Sequence, residues 1–403
     1  MRMSIDLVPV SFPKDTTRFC KVWWNIYATD PHWVPPLIFE RKQFFDPKKN
    51  PYFNTATIQG WIARKDGKDV GTIVACHDTV LNDQIDKMGS FGFFEFIDDV
   101  EVAQALLDAA GDWLRDRGMN RLMGPYNLST NHEFALLVDG FDTDPCVANP
   151  HNSAYYPVIY DKIGLKPNMT WYAYWMNYED RGPARMGKLA ERILKRNDKI
   201  KVRQVDLSRF DEELRLLKDI YNDAWHENWG HVPVSQEEFD YIGQNMKAII
   251  QQDLCYIIEI DGKAAALSIT FPDLNQVAKK MNGRLLPFGW YHWVFGKKKI
   301  DKLRIFILGV KKEYQHMPLG AVLYAETWKA GSKRKVIGGE ASLILHHNVR
   351  MRGALEKMGA YIYKTYQSFE LPLTDDAPPI HDIVGEIVPG KPIGWSASAD
   401  KKS

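Results

Sequence analysis

The stretch LGVKKEYQHMPLGAVLYAETW, Leu308–Trp328, carries residues that could hold a phosphate group. Its pattern predicts a strand, a turn with Gly309 at its entry and Gly320 at its exit, and a helix from Ala321. Backbone N–H groups at the start of a helix bind anions, and glycine lets a ligand approach the backbone closely. Pro318 lies within this turn and has no N–H to donate. The pattern therefore predicts an anion-binding turn that lacks one of its donors.

A second strand–turn–helix pattern, FFEFIDDVEVAQALL, occurs in the first half of the chain. Asp98 and Asp99 lie where its helix is predicted to begin. Two carboxylates stabilise the positive end of a helix, but they repel a pyrophosphate. Of the two turns, we therefore expect only the one in the second half to accept an anion.

Repeated patterns indicate that the elements around these turns arose by tandem duplication. An Asp-Gly-Lys turn between two apolar runs begins at Asp66 and again at Asp261, and each predicts a β-hairpin. At the same separation in sequence, YDKIGL begins at Tyr160 and LEKMGA at Leu355. Each of these predicts a helix that ends in glycine before an aromatic strand. The chain is therefore expected to contain two units with the same order of elements.

Length and composition indicate a globular protein of two domains. The chain has 403 residues, of which 45% are hydrophobic and 26% charged. A net charge of +1 gives no basic field for nucleic acid, and four scattered cysteines fit a reducing cytosol better than a zinc site or disulfides. With neither a signal peptide pattern nor a long apolar run, we expect a cytoplasmic protein. The expected divisions are an N-terminal domain, 1–197, a C-terminal domain, 198–371, and an extended or disordered tail, 372–403.

The order helix, hairpin, strand–turn–helix, strand, helix and strand in each half resembles the GNAT superfamily of acyl-CoA N-acyltransferases. To about Leu371, the chain more closely resembles a family of two-domain GNAT-like proteins of poorly defined function. The stretches that carry this resemblance are AWHENWGHVP, LLPFG, the Leu308–Gly320 turn and HHNVRMRGALEKMG. The resemblance implies an α/β (α+β) fold of two tandem domains, with mixed central sheets flanked by helices. It also implies acyl-CoA as co-substrate and no metal, and some members of the wider group have been linked to bacterial ceramide synthesis.

The coenzyme A turn of GNAT enzymes has the form Q/R-x-x-G-x-G/A. Matched to this chain, Gln315 takes the first position, Pro318 the first glycine and Gly320 the second. The N-terminal domain, with its acidic turn, is not expected to bind coenzyme A. The alternative is that the second turn is also only structural, in a degenerate domain. The residues expected to contact coenzyme A are Leu308, Gly309, Val310, Gln315, Gly320, Ala321 and Asn348.

Many GNAT enzymes protonate the leaving thiolate with a tyrosine on the penultimate helix. Leu355 occupies that position in the second half, whereas Tyr160 occupies it in the first. The thiolate can leave unaided, since the pKa of a thiol is about 8.5. The alternative proton donors are His346, His347 and Tyr363.

The attacking ammonium must lose a proton to a base, for which Glu340 and Glu227 are the candidates. The alternative for each, favoured here, is a solvated surface carboxylate. With His347, these two residues are the predicted catalytic residues. The neighbours His132 and Glu133 are not expected to act together, because adjacent side chains of a strand point to opposite faces.

The amine acceptor is expected to contact Asn228, Trp229 and Gly230, in the loop where GNAT acceptor sites are built. A second segment, Gly283–Lys299, is aromatic in its middle and ends in three lysines, which is typical of a segment at a membrane surface. It would place the protein at the inner face of the membrane. The alternative, favoured here, is an internal strand or loop that packs its aromatic side chains, followed by solvated lysines.

Three functional hypotheses follow. The first is an N-acyltransferase that moves an acyl group, such as acetyl, from acyl-CoA to an amine. The second is a peripheral-membrane enzyme that uses long-chain acyl-CoA and acylates a lipid amine such as a sphingoid base, as in ceramide synthesis. The third is a non-catalytic binding protein on a degenerate GNAT scaffold.

Overall fold

The computed structural model describes residues 5–85, 87–179, 182–225, 233–377 and 383–395. The chain divides into two compact units, and each unit is assembled from three segments of the chain. Unit 1 consists of Met1–Trp171, Asn275–Lys297 and Lys364–Val388. Unit 2 consists of Tyr172–Leu274, Lys298–Tyr363 and Pro389–Ser403.

Strands and helices of both units alternate along the chain. The strands are β1 (Asp6–Val10), β2 (Ala56–Lys65), β3 (Lys68–Asp78), β4 (Met88–Phe96), β5 (Arg121–Gly124), β6 (Leu136–Asp139), β7 (Lys166–Asn177), β8 (Ile200–Gln204), β9 (Cys255–Ile260), β10 (Lys263–Pro272), β11 (Lys302–Val310), β12 (Gly338–Leu345) and β13 (Tyr361–Pro372). The α-helices are α1 (Thr16–Ile26), α2 (Ile38–Phe44), α3 (Thr79–Gln84), α4 (Val100–Arg115), α5 (Tyr156–Lys162), α6 (Gly182–Arg196), α7 (Phe210–Trp225), α8 (Gln236–Met246), α9 (Asn275–Met281), α10 (Gly289–Gly296), α11 (Leu319–Lys333) and α12 (Val349–Lys357).

The two predicted hairpins are confirmed. β2 pairs with β3, and β10 pairs with β9, in antiparallel register. Asp66 and Gly67 have φ angles of 52° and 74°, and Asp261 and Gly262 have 51° and 77°. Asp-Gly is one of the sequences that adopt this left-handed turn geometry with little strain.

In unit 1 the strand order is β1-β2-β3-β4-β5-β13, and β6 also pairs with β13. β4 and β5 run parallel, but they pair only where Met88–Ser90 faces Arg121–Met123. Helix α4 packs on this sheet because its apolar residues recur every three or four positions and form one buried face. The buried members of that face are Val102, Ala103, Leu106, Leu107, Ala110 and Leu114.

In unit 2 the strand order is β7-β12-β11-β10-β9-β8. β11 and β12 are parallel, and their register covers Lys302–Ile305 against Gly338–Ala341. Both strands continue beyond this register, β11 to Val310 and β12 to Leu345. The two strands therefore part towards their carboxyl ends, on the side where α11 begins.

The segment before the three lysines differs from the favoured interpretation. Its middle is helix α10, not a strand, and most of its apolar side chains are exposed. The interpretation that this segment packs in the interior is therefore wrong. Leu286 and Phe288 are 73% and 76% exposed, and Trp290, Tyr291, Val294 and Phe295 are each about half exposed. The neighbouring chain is fixed within unit 1, since Trp24 Nε1 donates to Asn282 Oδ1 at 2.7 Å.

No helix among the described residues is both long and apolar enough to cross a bilayer. The same residues contain no group of three or more histidine, cysteine, aspartate and glutamate side chains arranged to hold a metal ion.

Candidate functional site

The start of α11 lacks a side-chain cap among the described residues, although the N–H groups of Leu319 and Ala321 donate to the carbonyl oxygens of Met317 and Pro318. Pro318 is the N-cap residue, and no side chain caps the first turn. A Cβ built on Gly320 would have Leu308 Cδ2, at 4.0 Å, as its nearest neighbour, so space for a ligand lies directly beside the backbone. The positive end of the helix dipole therefore faces an open position at which an anion can bind.

Arg350 adds a positive charge at this turn. Its guanidinium donates a hydrogen bond to the carbonyl oxygen of Gln315, and its side chain is otherwise exposed. Guanidinium groups bind phosphates in a fixed, two-pronged geometry. Sequence reasoning did not select Arg350, although its place two residues after the predicted ligand contact Asn348 was a usable signal.

Two of the predicted coenzyme A contacts have structural roles of their own. Gly309 is glycine because a Cβ there would lie 2.4 Å from the ring of Trp225. Asn348 caps α12, since its Oδ1 accepts from the N–H of Met351 at 3.1 Å. Neither Gly309 beside Trp225 nor the cap formed by Asn348 occupies the open position next to Gly320.

The equivalent turn of unit 1 is closed by its own side chains. Asp99 Oδ1 accepts from the N–H of Glu101 at 3.0 Å and from that of Val102 at 3.4 Å. Its other oxygen accepts from Lys65 Nζ at 2.5 Å. Burial opposes ionisation of this carboxyl, but Lys65 and the two amides hold its pKa below the ordinary value. The amides that would bind a phosphate are thus already occupied by a carboxylate.

Glu340 lies in a buried network in unit 2. It is 1% exposed, and its Oε1 lies 3.4 Å from Arg304 Nε, itself 4% exposed. Ser342 Oγ and the hydroxyl of Tyr363 donate to the same carboxylate. Both oxygens of this buried carboxylate are thus engaged by neighbouring side chains of unit 2.

An apolar cavity of about 450 Å³, including its open mouth, lies between β11, β12, α11 and α12. Leu355 is 1% exposed and lines it, together with Glu340. The position at which many GNAT enzymes have a tyrosine is therefore part of the apolar wall of this cavity, and the leucine found there suits that environment.

The remaining predicted residues lie apart or outside the described residues. His347 is exposed in the turn after β12, with its ring 5.2 Å from that of His346. The four predicted residues Glu227, Asn228, Trp229 and Gly230 lie outside the part of the chain that the structure describes.

A second polar cluster lies in unit 1, around Glu95 on β4. Glu95 Oε2 accepts hydrogen bonds from the hydroxyls of Tyr27 at 2.5 Å and Tyr156 at 2.7 Å. Burial raises the pKa of Glu95 to about 7, although the hydrogen bonds from the two hydroxyls act to lower it. Sequence reasoning missed this residue, although a single acid inside the aromatic strand FGFFEF was a signal.

His132 and Glu133 face different surroundings, as expected. The imidazole of His132 lies edge-on to Phe44, with ring centroids 5.0 Å apart, and burial lowers its pKa to about 4. Glu133 instead accepts from Arg41 at 2.6 Å. The two side chains therefore do not form one catalytic pair.

Comparison with solved structures defines the class of protein. The tandem GNAT protein from the clavulanic acid biosynthesis pathway matches with a TM-score of 0.56 and 11% identity, over 93% of this chain and 100% of that one. The two units, each with a central strand that leads into a turn and a helix, thus form a two-domain GNAT fold.

Comparison with curated sequences defines the family. No protein-family model matches the chain. It is 36% identical to protein YghO of Escherichia coli over 86% of this chain and 90% of that protein. It is 35% identical to the bacterial ceramide synthase of Caulobacter vibrioides over 91% of this chain and 97% of that protein. The chain belongs to the family that contains these two proteins.

Proposed function

We propose that this protein transfers an acyl group from acyl-CoA to an amine, with coenzyme A bound at the Leu308–Ala321 turn. The observation that carries the proposal is the uncapped, open start of α11 at Gly320. The positive charge of Arg350 at the same turn supports it. Acyl-CoA is the co-substrate that the GNAT fold leads us to expect.

The proposed acceptor is a lipid amine such as a sphingoid base, and the proposed donor is a long-chain acyl-CoA. This choice is supported by the relative named bacterial ceramide synthase, which is similar over nearly its whole length. A ceramide is the amide of a long-chain amino alcohol, so the reaction that forms it joins an acyl group to a primary amine.

In the proposed reaction the neutral amine attacks the thioester carbonyl, a C–N bond forms, and the C–S bond breaks to release the thiolate. A backbone N–H of Leu308–Val310 would stabilise the oxyanion. The proton from the ammonium passes to a base. Arg304, Ser342 and Tyr363 already contact the carboxylate of Glu340, so Glu227 is the first base to test in unit 2.

The test is amine-dependent thiol release. Purified full-length protein is incubated with palmitoyl-CoA and sphinganine, and free thiol is followed with a colorimetric reagent. We expect release that needs both substrates, an amide product by mass spectrometry, and loss of both signals in Gly320→Glu. Gly187→Glu is the matched control, because a Cβ at this helical glycine meets no atom within 4 Å. If the protein binds coenzyme A but no amine releases thiol, the non-catalytic hypothesis replaces this one.

Peripheral membrane contact through Trp290–Lys299 is a second proposal, supported by the exposed side chains around α10. Trp290, Tyr291 and Phe295 are each about half exposed on a short helix that leads directly into Lys297, Lys298 and Lys299. Aromatic side chains partition into the lipid interface, and each lysine near an anionic surface contributes roughly 1 kcal/mol. Such contact would bring the protein to the compartment of a lipid amine.

Sedimentation with vesicles tests this contact. We expect binding to phosphatidylglycerol-rich vesicles that weakens with added salt, and more than tenfold weaker binding when the three lysines become glutamate. Trp290→Ser with Phe295→Ser should also weaken binding, whereas Val158→Ser, at an apolar residue of unit 1 that is 55% exposed, should not. Equal binding by all variants would remove the proposal.

A further inference from the structure

Unit 1 contains a polar cavity next to β4 that the proposed reaction does not use. Its empty volume is about 340 Å³, including its open mouth. It lies where β5 leaves β4, beside α5 and the loop from Pro125 to Leu136. The polar residues that line it are Glu95, Asn127, Glu133, His151, Asn152, Tyr156 and Tyr160.

Three polar atoms of this lining have no hydrogen-bond partner among the described residues. The hydroxyl of Tyr160 is one, and this side chain is 0% exposed. Nδ1 of His151 is the second, in a side chain that is 3% exposed and whose Nε2 bonds Asp30 at 2.9 Å. The third is Oε1 of Glu95, since both recorded hydrogen bonds to this carboxylate use Oε2.

Buried polar groups without partners are rare, because each loses its hydration without compensation. Here two such buried atoms, from α5 and the loop before it, line one cavity together with Oε1 of Glu95 on β4, which keeps partial solvent access. Their convergence indicates that the cavity is built to receive a polar group from outside the chain.

The charges around the cavity specify the sign of that group. Arg41 Nη2 pairs with Glu133 at 2.6 Å, and His151 pairs with Asp30. Glu95 has no ion-pair partner among the described residues, and it keeps partial solvent access. The ionised carboxylate therefore leaves one negative charge uncompensated, which favours a cation. The titratable and charged groups that face Glu95 are Tyr27, Tyr155, Tyr156, Tyr160, Glu133, Arg41 and His151.

We propose that this cavity binds a primary amine, with the ammonium group on Glu95 Oε1. The hydroxyl of Tyr160 and Nδ1 of His151 bind a hydroxyl group next to the amine. The ligand class is thus a small amino alcohol, or the head group of a longer one. This binding takes place within unit 1, so it goes beyond the proposed reaction and does not require the coenzyme A turn of unit 2.

Calorimetric titration of the full chain with 2-amino-1,3-propanediol, without coenzyme A, tests the site. We expect saturable binding, no binding of 1,3-propanediol, and at least tenfold weaker binding in Glu95→Gln. Glu101→Gln, at an exposed residue of α4, is the matched control and should bind like the unaltered protein. Tyr160→Phe should fold normally and bind several-fold more weakly, since it removes only an unpartnered hydroxyl.

Proton release gives a second readout that a merely structural Glu95 would not show. The pKa of Glu95 is about 7, whereas an alkylammonium stays charged between pH 6 and pH 8. Affinity should therefore rise about tenfold from pH 6 to pH 8, with proton release in buffers of different ionisation enthalpy. No saturable binding would show that the cavity does not take an amine, and equal binding by Glu95→Gln would show that the ammonium is not bound by Glu95; either result would overturn the proposal. Normal amine binding without thiol release would instead overturn the proposed reaction and leave this site standing.

Discussion

Each unit contains a hairpin and a central strand that leads through a turn into a helix, but the starts of the two helices differ in chemistry. In unit 1 the helix after the central strand is capped by Asp99, and Lys65 neutralises that carboxylate. In unit 2 the equivalent helix begins at Pro318 without a side-chain cap. One helix end is thus closed by the chain itself, and the other can accept an anion.

The buried carboxylates of the two units differ in whether they have a cationic partner. Glu340 of unit 2 is held by Arg304 and two hydroxyls. Glu95 of unit 1 is held by two tyrosine hydroxyls, without a cation among the described residues. The buried carboxylate of unit 2 thus has a cationic partner, whereas that of unit 1 has hydroxyl partners only within the described part of the chain. The two units therefore differ both at the start of the helix after the central strand and in the partners of their buried carboxylates.

The largest expected effect separates these two carboxylates. Glu340→Gln should lower the free energy of unfolding by about 3–5 kcal/mol, because it leaves the buried charge of Arg304 without its partner. Urea denaturation measures the change. The double variant Glu340→Leu with Arg304→Met is the control, and it should recover most of the loss. A loss below about 1 kcal/mol would show that the ion pair is not structural.

The second prediction separates the two helix ends. Gly320→Glu should weaken coenzyme A binding by about 100-fold, since a carboxylate a few ångströms from a diphosphate costs roughly 2–3 kcal/mol. Calorimetry measures the affinity, and Gly320→Gln has nearly the same size without the charge. If both variants bind equally weakly, steric hindrance and not charge explains the loss.

The third prediction concerns the pH dependence of stability. The pKa of Glu95 is about 7 when folded and close to the ordinary 4.5 when unfolded, so its contribution is complete below about pH 4.5 and is lost as the pH rises through 7. The glutamine in Glu95→Gln does not titrate. From pH 5 to pH 8 the free energy of unfolding of Glu95→Gln should therefore rise by roughly 2 kcal/mol relative to that of the unaltered protein. Urea unfolding at both pH values measures this gain. Parallel pH profiles for the two proteins would contradict the assignment.

The smallest expected effect is at the capped helix. Asp99→Ala should lower the free energy of unfolding by about 1 kcal/mol, because the amides of Glu101 and Val102 lose their acceptor. Thermal unfolding measures the loss, and coenzyme A affinity should not change. Tighter coenzyme A binding by this variant would show that the start of α4 also accepts the ligand.

Much of the fold was predictable because its signals are local. Both hairpins and both strand–turn–helix patterns could be predicted from Asp-Gly turns, helix-terminal glycines and aromatic strands. The capping role of Asp99 was also predictable, because carboxylates favour the positive end of a helix. These features depend on residues that are neighbours in sequence.

The missed features depend on tertiary contacts. The environment of Glu95 is made by Tyr27 and Tyr156, which are far away in the chain. The Arg304–Glu340 pair forms across two strands that are separated by α11. The exposure of Phe288 and Trp290 was also not predictable, since an apolar run alone does not show which side chains the rest of unit 1 covers.

Hydrogen–deuterium exchange of the full chain, with and without coenzyme A, tests the central claim most directly. It reports on the backbone amides at both helix ends in one experiment. We predict slower exchange in peptides that cover residues 310–323, at the start of α11, and no change in peptides that cover residues 96–103, at the start of α4. Protection at residues 96–103, or at neither helix end, would contradict the account.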